Sequence, residues 1–421
     1  MAKLSNHKIS FKGFESANFL DLSAESNQLI EERFQDYIDI CKQLSSDHYD
    51  YIVVLPWLIP GGIDLFTINY IKSITELFPS FKVLVVLTNN AYQSLTKEQI
   101  GFSNSVDILN LPNTISHSKS YDTAAPDLLF TLICNLLPQY LHIISNQVGY
   151  DCVLKYNDAL HEMTSLIFSS YNFLIEKTGH YVGYHVKELP KAYRYGDTVT
   201  TDNQKAKDML VEKFGFQKQD IQIHNQLYDI DTAKLAAPTN KDGIKILWAA
   251  HIRPEKNPKI LNQIASNLSS QKIDIDCYGI FDPNSWPNRQ NPLDLKQPNL
   301  HYYGPYSNFF KDIDLSKYDL FLYTSHTDGM PNVIIEAALA GLPIVTSDIG
   351  GIRNKLGEHA HYVKDTHSAD EYINNILDVL EHHEKALKEA KRIQKEFISC
   401  HNKDVFNKQV KAMLNRNKKN V

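Results

Sequence analysis

One segment constrains the fold before any other: Tyr323-Thr-Ser-His-Thr-Asp-Gly-Met-Pro-Asn-Val-Ile-Ile-Glu-Ala-Ala-Leu-Ala-Gly-Leu-Pro-Ile-Val-Thr-Ser-Asp348. The mostly apolar run Tyr318 to Leu322 that leads into it reads as a buried strand. Thr324 to Gly329 is a polar turn, and Pro331 suits the first position of a helix. The small residues Ala337, Ala338, Ala340 and Gly341 let that helix press against a sheet, Pro343 stops it, and Ile344-Val345 opens the next buried strand. The loop then lies at the carboxyl end of a parallel strand, where open α/β sheets bind ligands.

Two carboxylates mark this unit: Asp328 in the loop, and Glu336 about a turn and a half into the helix. The helix start offers backbone N–H groups at Asn332, Val333 and Ile334 and a positive dipole end that suits phosphate. Carboxylates beside a phosphate site repel it unless they point at hydroxyl groups, so the pairing fits a ligand with both phosphate and sugar hydroxyls. Taken alone, the same two residues read as a helix cap and a solvated helix position.

Their surroundings tip the balance. Asp328-Gly-Met-Pro-Asn-Val-Ile-Ile-Glu336, followed by Ala-Gly-Leu-Pro-Ile-Val and Gly350-Gly351, resembles the Glu-x7-Glu signature of retaining GT-B glycosyltransferases of family four. The resemblance implies that the first acid contacts the donor sugar and the second holds the nucleotide ribose. It further implies that Gly329, Met330, Pro331, Asn332 and Val333 line the donor site. Asp stands here where the family has Glu, a shorter reach.

At 421 residues the chain suits two domains, and its 43% apolar and 22% charged content is that of a soluble globular protein. A net charge of -6 argues against nucleic acid as the main partner. From Lys385 onward Lys and Arg outnumber Asp and Glu, which fits either peripheral contact with an anionic membrane surface or a solvated helix face. Cys41, Cys134, Cys152, Cys277 and Cys400 are scattered without metal-like spacing and read as reduced thiols of a cytoplasmic protein.

Residues 1–50 read as a helical N-terminal extension, with a helix capped by Ser23 and running to about Leu44. Residues 51–237 read as a first Rossmann-like domain, the acceptor domain if the resemblance holds. Tyr51–Leu55 is a strand that ends in Pro56-Trp-Leu-Ile-Pro-Gly61-Gly62-Ile-Asp64 before a helix. The glycine pair lets backbone approach a bulky ligand, and it resembles the family loop that faces the donor phosphates. Further strands are expected at 82–87, 106–111 and 140–145, with a helix around Leu128–Leu137. Next come a helix from Cys152 to about Leu166, a strand Ile167–Tyr171, a strand ending in Asp202-Asn203, the helix Gln204–Phe214 and a last strand Ile221–Asn225. The resemblance makes Asn146 and Ser145 candidates to face the reacting sugar, whereas His142 inside its strand reads as a core residue. The stretch Thr178–Lys187, with His180 and His185, reads as a surface loop.

The polar segment Ala236–Gly243 marks the domain boundary. Residues 238–395 then form a second Rossmann-like, nucleotide-sugar-binding domain, and 396–421 a helix crossing back to the first, as in the family. The turn His251-Ile-Arg253-Pro-Glu-Lys256 sets cations at the end of a strand and before a helix, where they can neutralise a departing diphosphate. It resembles the family's Arg-x4-Lys clamp, with Lys256 matching the Lys, His251 standing where Arg is usual, and Arg253 supplying charge two residues on. Tyr306 and Pro305 are implied as base contacts, and Asn354 stands where the family usually has Glu. The Asp-x-Asp triplets Asp229/Asp231, Asp274/Asp276 and Asp312/Asp314 read as structural, and no metal is called for.

The expected fold is α/β, of GT-B type, with two doubly wound Rossmann-like domains facing a cleft. The function that the resemblance implies is retaining transfer of a hexosyl unit from a nucleoside diphosphate sugar, UDP favoured over GDP, to a glycan or lipid-linked glycan acceptor. No cofactor beyond the donor substrate is implied, and the setting would be the inner face of the cell membrane. Asp328, Lys256, Arg253 and Asn146 are the catalytic candidates. A non-catalytic sugar-nucleotide-binding subunit and a GT-B epimerase or phosphorylase are the alternatives.

Overall fold

Runs of β-branched and aromatic residues with no polar alternation form strands covered on both faces, and such strands pair in parallel. The computed structural model describes residues 24–59, 61–171, 174–175, 181–228, 243–281 and 293–416. Seven of its strands build a first sheet: β1 (Tyr51–Leu55), β2 (Val83–Leu87), β3 (Val106–Asn110), β4 (Tyr140–Ile144), β5 (Ser165–Ser169), β6 (Thr198–Thr201) and β7 (Ile221–Ile223). Their order is β3-β2-β1-β4-β5-β6-β7, all parallel, with the switch point between β1 and β4.

The second sheet repeats the scheme with six strands in the order β10-β9-β8-β11-β12-β13. They are β8 (Ile244–Ala249), β9 (Ile273–Tyr278), β10 (Leu300–Gly304), β11 (Leu320–Tyr323), β12 (Ile344–Ser347) and β13 (His361–Val363). Its switch point lies between β8 and β11, which pair in parallel through Ile246 and Leu320. Both switch points carry the loops singled out in the sequence, those after β1, β8 and β11.

Helix α1 (Ala24–Gln43) is not an appendage. Tyr37, Ile40, Leu44 and Tyr49 are buried in the same core as Ile52, Leu84 and Leu129. Arg33 forms a buried ion pair with Asp127, and Asp36 accepts the backbone N–H groups of Ser116, His117 and Ser118 at 2.8–2.9 Å. Residues 24–50 are thus part of the first domain. Ser23 lies outside the described residues.

The helix expected from Cys152 to Leu166 is two, α2 (Gln147–Lys155) and a shorter one, Asn157–Met163. The break falls at Tyr156, whose ring stacks on Phe130 at 3.8 Å and whose hydroxyl donates to Asp127 at 2.7 Å, drawing the backbone out of helical angles. The next strand therefore starts at Ser165, not Ile167, and the helix expected around Leu128 begins at Tyr121.

At the C-terminus, α3 (His383–Cys400) still packs on the second domain through Ile393 and Phe397. The chain changes domain at His401, whose imidazole bonds the Gln226 carbonyl at 2.7 Å. The last helix, α4 (Lys403–Arg416), then buries Phe406, Val410, Met413 and Leu414 against Phe66, Tyr70, Ile74 and Tyr140 of the first domain. Asp229, Asp231, His180 and the boundary segment up to Asp242 lie outside the described residues. Asp276 sits inside β9, and Asp312 caps a turn by accepting from Ser307 and Asn308.

Candidate active site

The loops after β8 and β11 are stitched together before any ligand arrives. Trp248 Nε1 donates to Thr324 Oγ1 at 3.0 Å, and that hydroxyl donates to the Lys256 carbonyl at 2.8 Å. Ser325 Oγ and His326 N–H both donate to the Glu255 carbonyl at 2.8 Å. Asn257, at φ 58°, caps the following helix Pro258–Leu268 and ties its own side chain to the Thr366 carbonyl at 2.8 Å. This framework fixes the Lys256 stem.

Lys256 Nζ forms an ion pair with Asp328 Oδ2 and lies 3.1 Å from the hydroxyl of buried Tyr323. Tyr323 donates to the same carboxylate oxygen at 2.5 Å, and the Gly329 N–H donates to the other at 3.0 Å. Asp328 is thereby held as an oriented acceptor, with Lys256 as its ion-pair partner. The sequence reading brought Lys256 and Asp328 to one site but did not include Tyr323. Its only sequence signal is its place as the last strand residue before the loop.

Arg253 and His251 form a separate pair. Arg253 Nε donates to His251 Nε2 at 3.3 Å, which needs a neutral imidazole, and both side chains are exposed. Loss of hydration and then the Arg253 charge hold the His251 pKa below its usual value. Neither residue touches Asp328.

The helix Asn332–Ala340 follows the loop after β11. Its first turn has no acidic residue and no side-chain cap, so the N–H groups of Asn332 and Val333 remain for an anion. Ile334 N–H does not: it donates to the Pro331 carbonyl at 3.0 Å. Met330 is 5% exposed and its side chain belongs to the domain core, leaving only its backbone to the loop. Across the cleft, a Cβ placed on Gly62 would lie 3.6 Å from the side-chain nitrogen Nδ2 of Asn332, so the Gly61-Gly62 loop faces this helix start. Gly61 is tighter against its own helix, since a Cβ there would lie 3.0 Å from Asp64 Oδ2. Burial pushes the Asp64 carboxyl up to about 7, and the Ile59 backbone N–H opposes the shift.

Glu336 points to a second cluster. Tyr228 OH lies 3.5 Å from Glu336 Oε1 and from the Asn332 carbonyl, and half-buried Tyr306 stands close enough for the Glu336 charge to raise its phenol pKa further. Burial lifts the Glu336 carboxyl to about 7 despite the Tyr228 hydrogen bond. Tyr228, just before the interdomain linker, has no pattern in the sequence that announces it.

Asn146 is not presented to the cleft. It is 1% exposed, its Oδ1 accepts the Gly149 N–H at 2.6 Å as a helix cap, and its Nδ2 donates to Thr88. Local capping consumes both ends of the amide, which removes it from the catalytic candidates.

The domains touch through glycines. A Cβ on Gly329 would lie 2.4 Å from the Tyr171 carbonyl oxygen, and one on Gly351 would lie 2.4 Å from Asn203 Cβ. Beside these contacts runs a cavity of about 510 Å³ lined by Tyr171, Asn203 and Lys205 of one domain and Asp328, Gly329 and Asn354 of the other. Asp202 abuts it, with its carboxyl raised to about 7 by burial and, to a lesser degree, by the Asp328 charge. Among the described residues no three or more His, Cys, Asp or Glu side chains gather as a metal site.

Residues 229–396 match the family described as Glycosyl transferases group 1. A crystal structure of a glycosyltransferase from Rickettsia africae superposes with a TM-score of 0.68 at 16% identity, covering 89% of this chain and 100% of that one. The fold is GT-B. The pneumococcal O-GlcNAc transferase GtfA, solved with UDP and GlcNAc, superposes with a TM-score of 0.68 at 10% identity over 88% of this chain and 99% of its own. In sequence, a putative teichuronic acid biosynthesis glycosyltransferase of Bacillus subtilis is 42% identical over 43 residues. That match spans 10% of this chain and 11% of the relative. Lys256, Asp328 and Glu336 of this GT-B chain all lie inside the matched residues 229–396, and Tyr228 falls just before them.

Proposed function

We propose that the protein transfers a hexosyl unit from a nucleoside diphosphate sugar, UDP favoured, to a glycan hydroxyl with retention at the anomeric carbon. One observation carries the reading: an oriented carboxylate and a lysine, Asp328 and Lys256, stand beside an uncapped helix start that faces a glycine loop across the cleft. Asp328 accepts from donor-sugar hydroxyls, Lys256 and the Asn332 and Val333 N–H groups carry the diphosphate charge, and Glu336 accepts from the ribose. Among the described residues the other acids near the cleft, Asp64 and Asp202, are buried and take no nucleophilic role, so the acceptor attacks from the face the diphosphate leaves, and a diphosphate oxygen takes its proton. Arg253, engaged with His251, adds charge to the diphosphate once that contact is released.

A glycan-building role is supported by the teichuronic acid and O-GlcNAc transferases among the similar proteins. The reaction as drawn needs no metal ion, so turnover should survive a chelator. Among the described residues no helix is long and apolar enough to cross a membrane, and action at an inner membrane face would rest on peripheral contact.

Saturation-transfer NMR against UDP-, GDP-, ADP- and CDP-sugars tests the site. Selective binding of one donor, lost in Glu336→Ala, is the expected result, and equal binding by that variant would sink the carboxylate assignment. A second reading, a binding subunit without turnover, is favoured by one feature: neutral His251 stands where a fixed charge would stabilise the leaving group. Donor hydrolysis or transfer by the pure protein would remove it.

A further inference from the structure

The second sheet carries another cavity, of about 310 Å³, that shares no residue with the interdomain one. It lies on the face of β8 and β9 that bears Lys245 and Asp276, and is closed by residues 314–318. Three features set it apart from an ordinary surface dent. Asp276 is 2% exposed, and its Oδ2 accepts from the Tyr318 hydroxyl at 3.0 Å with Lys245 Nζ at 3.6 Å. Its Oδ1 has no hydrogen-bond partner among the described residues. Buried carboxylate oxygens are rarely left without a donor, because the lost hydration is not replaced. Next to it, Tyr278 and Tyr303 stack at 5.2 Å and 12°, and Tyr303 is 55% exposed, an aromatic face open at the cavity wall.

We propose that this cavity is a second carbohydrate site, separate from the donor cleft, that takes one pyranose ring of an uncharged glycan. The ring's apolar face lies on Tyr303, one hydroxyl donates to Asp276, and another accepts from Lys245 or a tyrosine hydroxyl. The chemistry of the wall selects this class. A phosphate would meet the Asp276 and Asp314 carboxylates, and each lysine is already matched to one of them, Lys245 to Asp276 and Lys317 to Asp314 at 3.3 Å. Sugar hydroxyls both donate and accept, as a wall of carboxylates, ammonium groups and phenols requires. The volume is at the small end for ligand pockets, enough for a single ring.

The assay is saturation-transfer NMR of the full chain with the methyl glycosides of glucose, galactose and N-acetylglucosamine, without nucleotide. At least one glycoside should receive saturation in wild type and in Glu336→Ala, and its apparent affinity should fall about ten-fold in Tyr303→Ala, the loss of one aromatic stacking contact. Tyr303 is exposed, so the variant should keep the wild-type melting temperature, and Asp276→Asn gives a second, side-chain-isosteric check with the same loss. Undiminished transfer in Tyr303→Ala, transfer lost in Glu336→Ala, or no transfer to any of the three glycosides would each overturn the proposal. Only loss in Glu336→Ala would also bear on the donor cleft.

Discussion

Replacing Glu336 by Gln should stabilise the protein in alkaline solution and change it far less in acid. Burial raises this carboxyl from 4.5 to about 7, with Tyr228 offsetting only part of the shift. The folded state therefore resists ionisation that the unfolded chain accepts freely. That penalty is absent below the unfolded pKa, grows as pH rises through the interval, and is complete above about pH 7. At about 1.4 kcal/mol per pH unit the shift from 4.5 to about 7 amounts to about 3 kcal/mol. Gln keeps the shape and cannot ionise. Urea unfolding of both proteins should show the stability gap widening by about 2 kcal/mol between about pH 5.5 and about pH 8.5. Asp64 and Asp202, raised to the same region by burial, are present in both proteins and cancel in the comparison. A gap that stays flat across that range would refute the reasoning, since it would mean that Glu336 ionises as easily folded as unfolded.

Lys256→Met should weaken binding of nucleoside diphosphates by about ten- to a hundred-fold, the worth of a hydrogen bond to a charged group, and calorimetric titration with an unchanged affinity would contradict it. Gly329→Ala should hold the domains apart, because its Cβ would sit 2.4 Å from the Tyr171 carbonyl oxygen while the backbone there needs no left-handed angle. An overlap of this kind costs about 1–3 kcal/mol, so small-angle scattering should report a larger radius of gyration, and an unchanged radius with unchanged donor affinity would count against it. Asn146→Ala should lower stability by about 1 kcal/mol through loss of a buried cap yet leave donor affinity intact, and a selective loss of affinity would return Asn146 to the reacting centre.

The sequence made the sheets readable because parallel strands covered on both sides are nearly continuous apolar runs, as in Tyr51–Leu55 and Leu320–Tyr323. The Lys256–Asp328 meeting was readable for a related reason: both residues follow strands that flank one switch point. Asn146 follows a strand too, but the Asn-x-x-Gly spacing to Gly149 is a capping distance, and the local bond wins over the cleft. Tyr228 and Tyr171 could not be read at all. Their roles come from what approaches them across the domain boundary, Glu336 and Gly329, and nothing local records that approach. The docking of helix α1 on the first domain was hidden in the same way, since an amphipathic stripe states that a face is covered without saying by what.

The return of α4 to the first domain has a consequence for how the chain is made. Phe406, Val410, Met413 and Leu414 are 0–1% exposed in a core whose other members are all upstream of residue 228. While the ribosome is synthesising the second domain, the first therefore stands emerged but open, with Phe66, Tyr70 and Ile74 uncovered. Only α4 closes it, so completion of the earlier domain waits until residues 403–416 have followed the whole second domain out of the exit tunnel. A message truncated shortly after Cys400 would release a polypeptide with every described strand in place and an apolar gap along one helix, a substrate for chaperones and proteases.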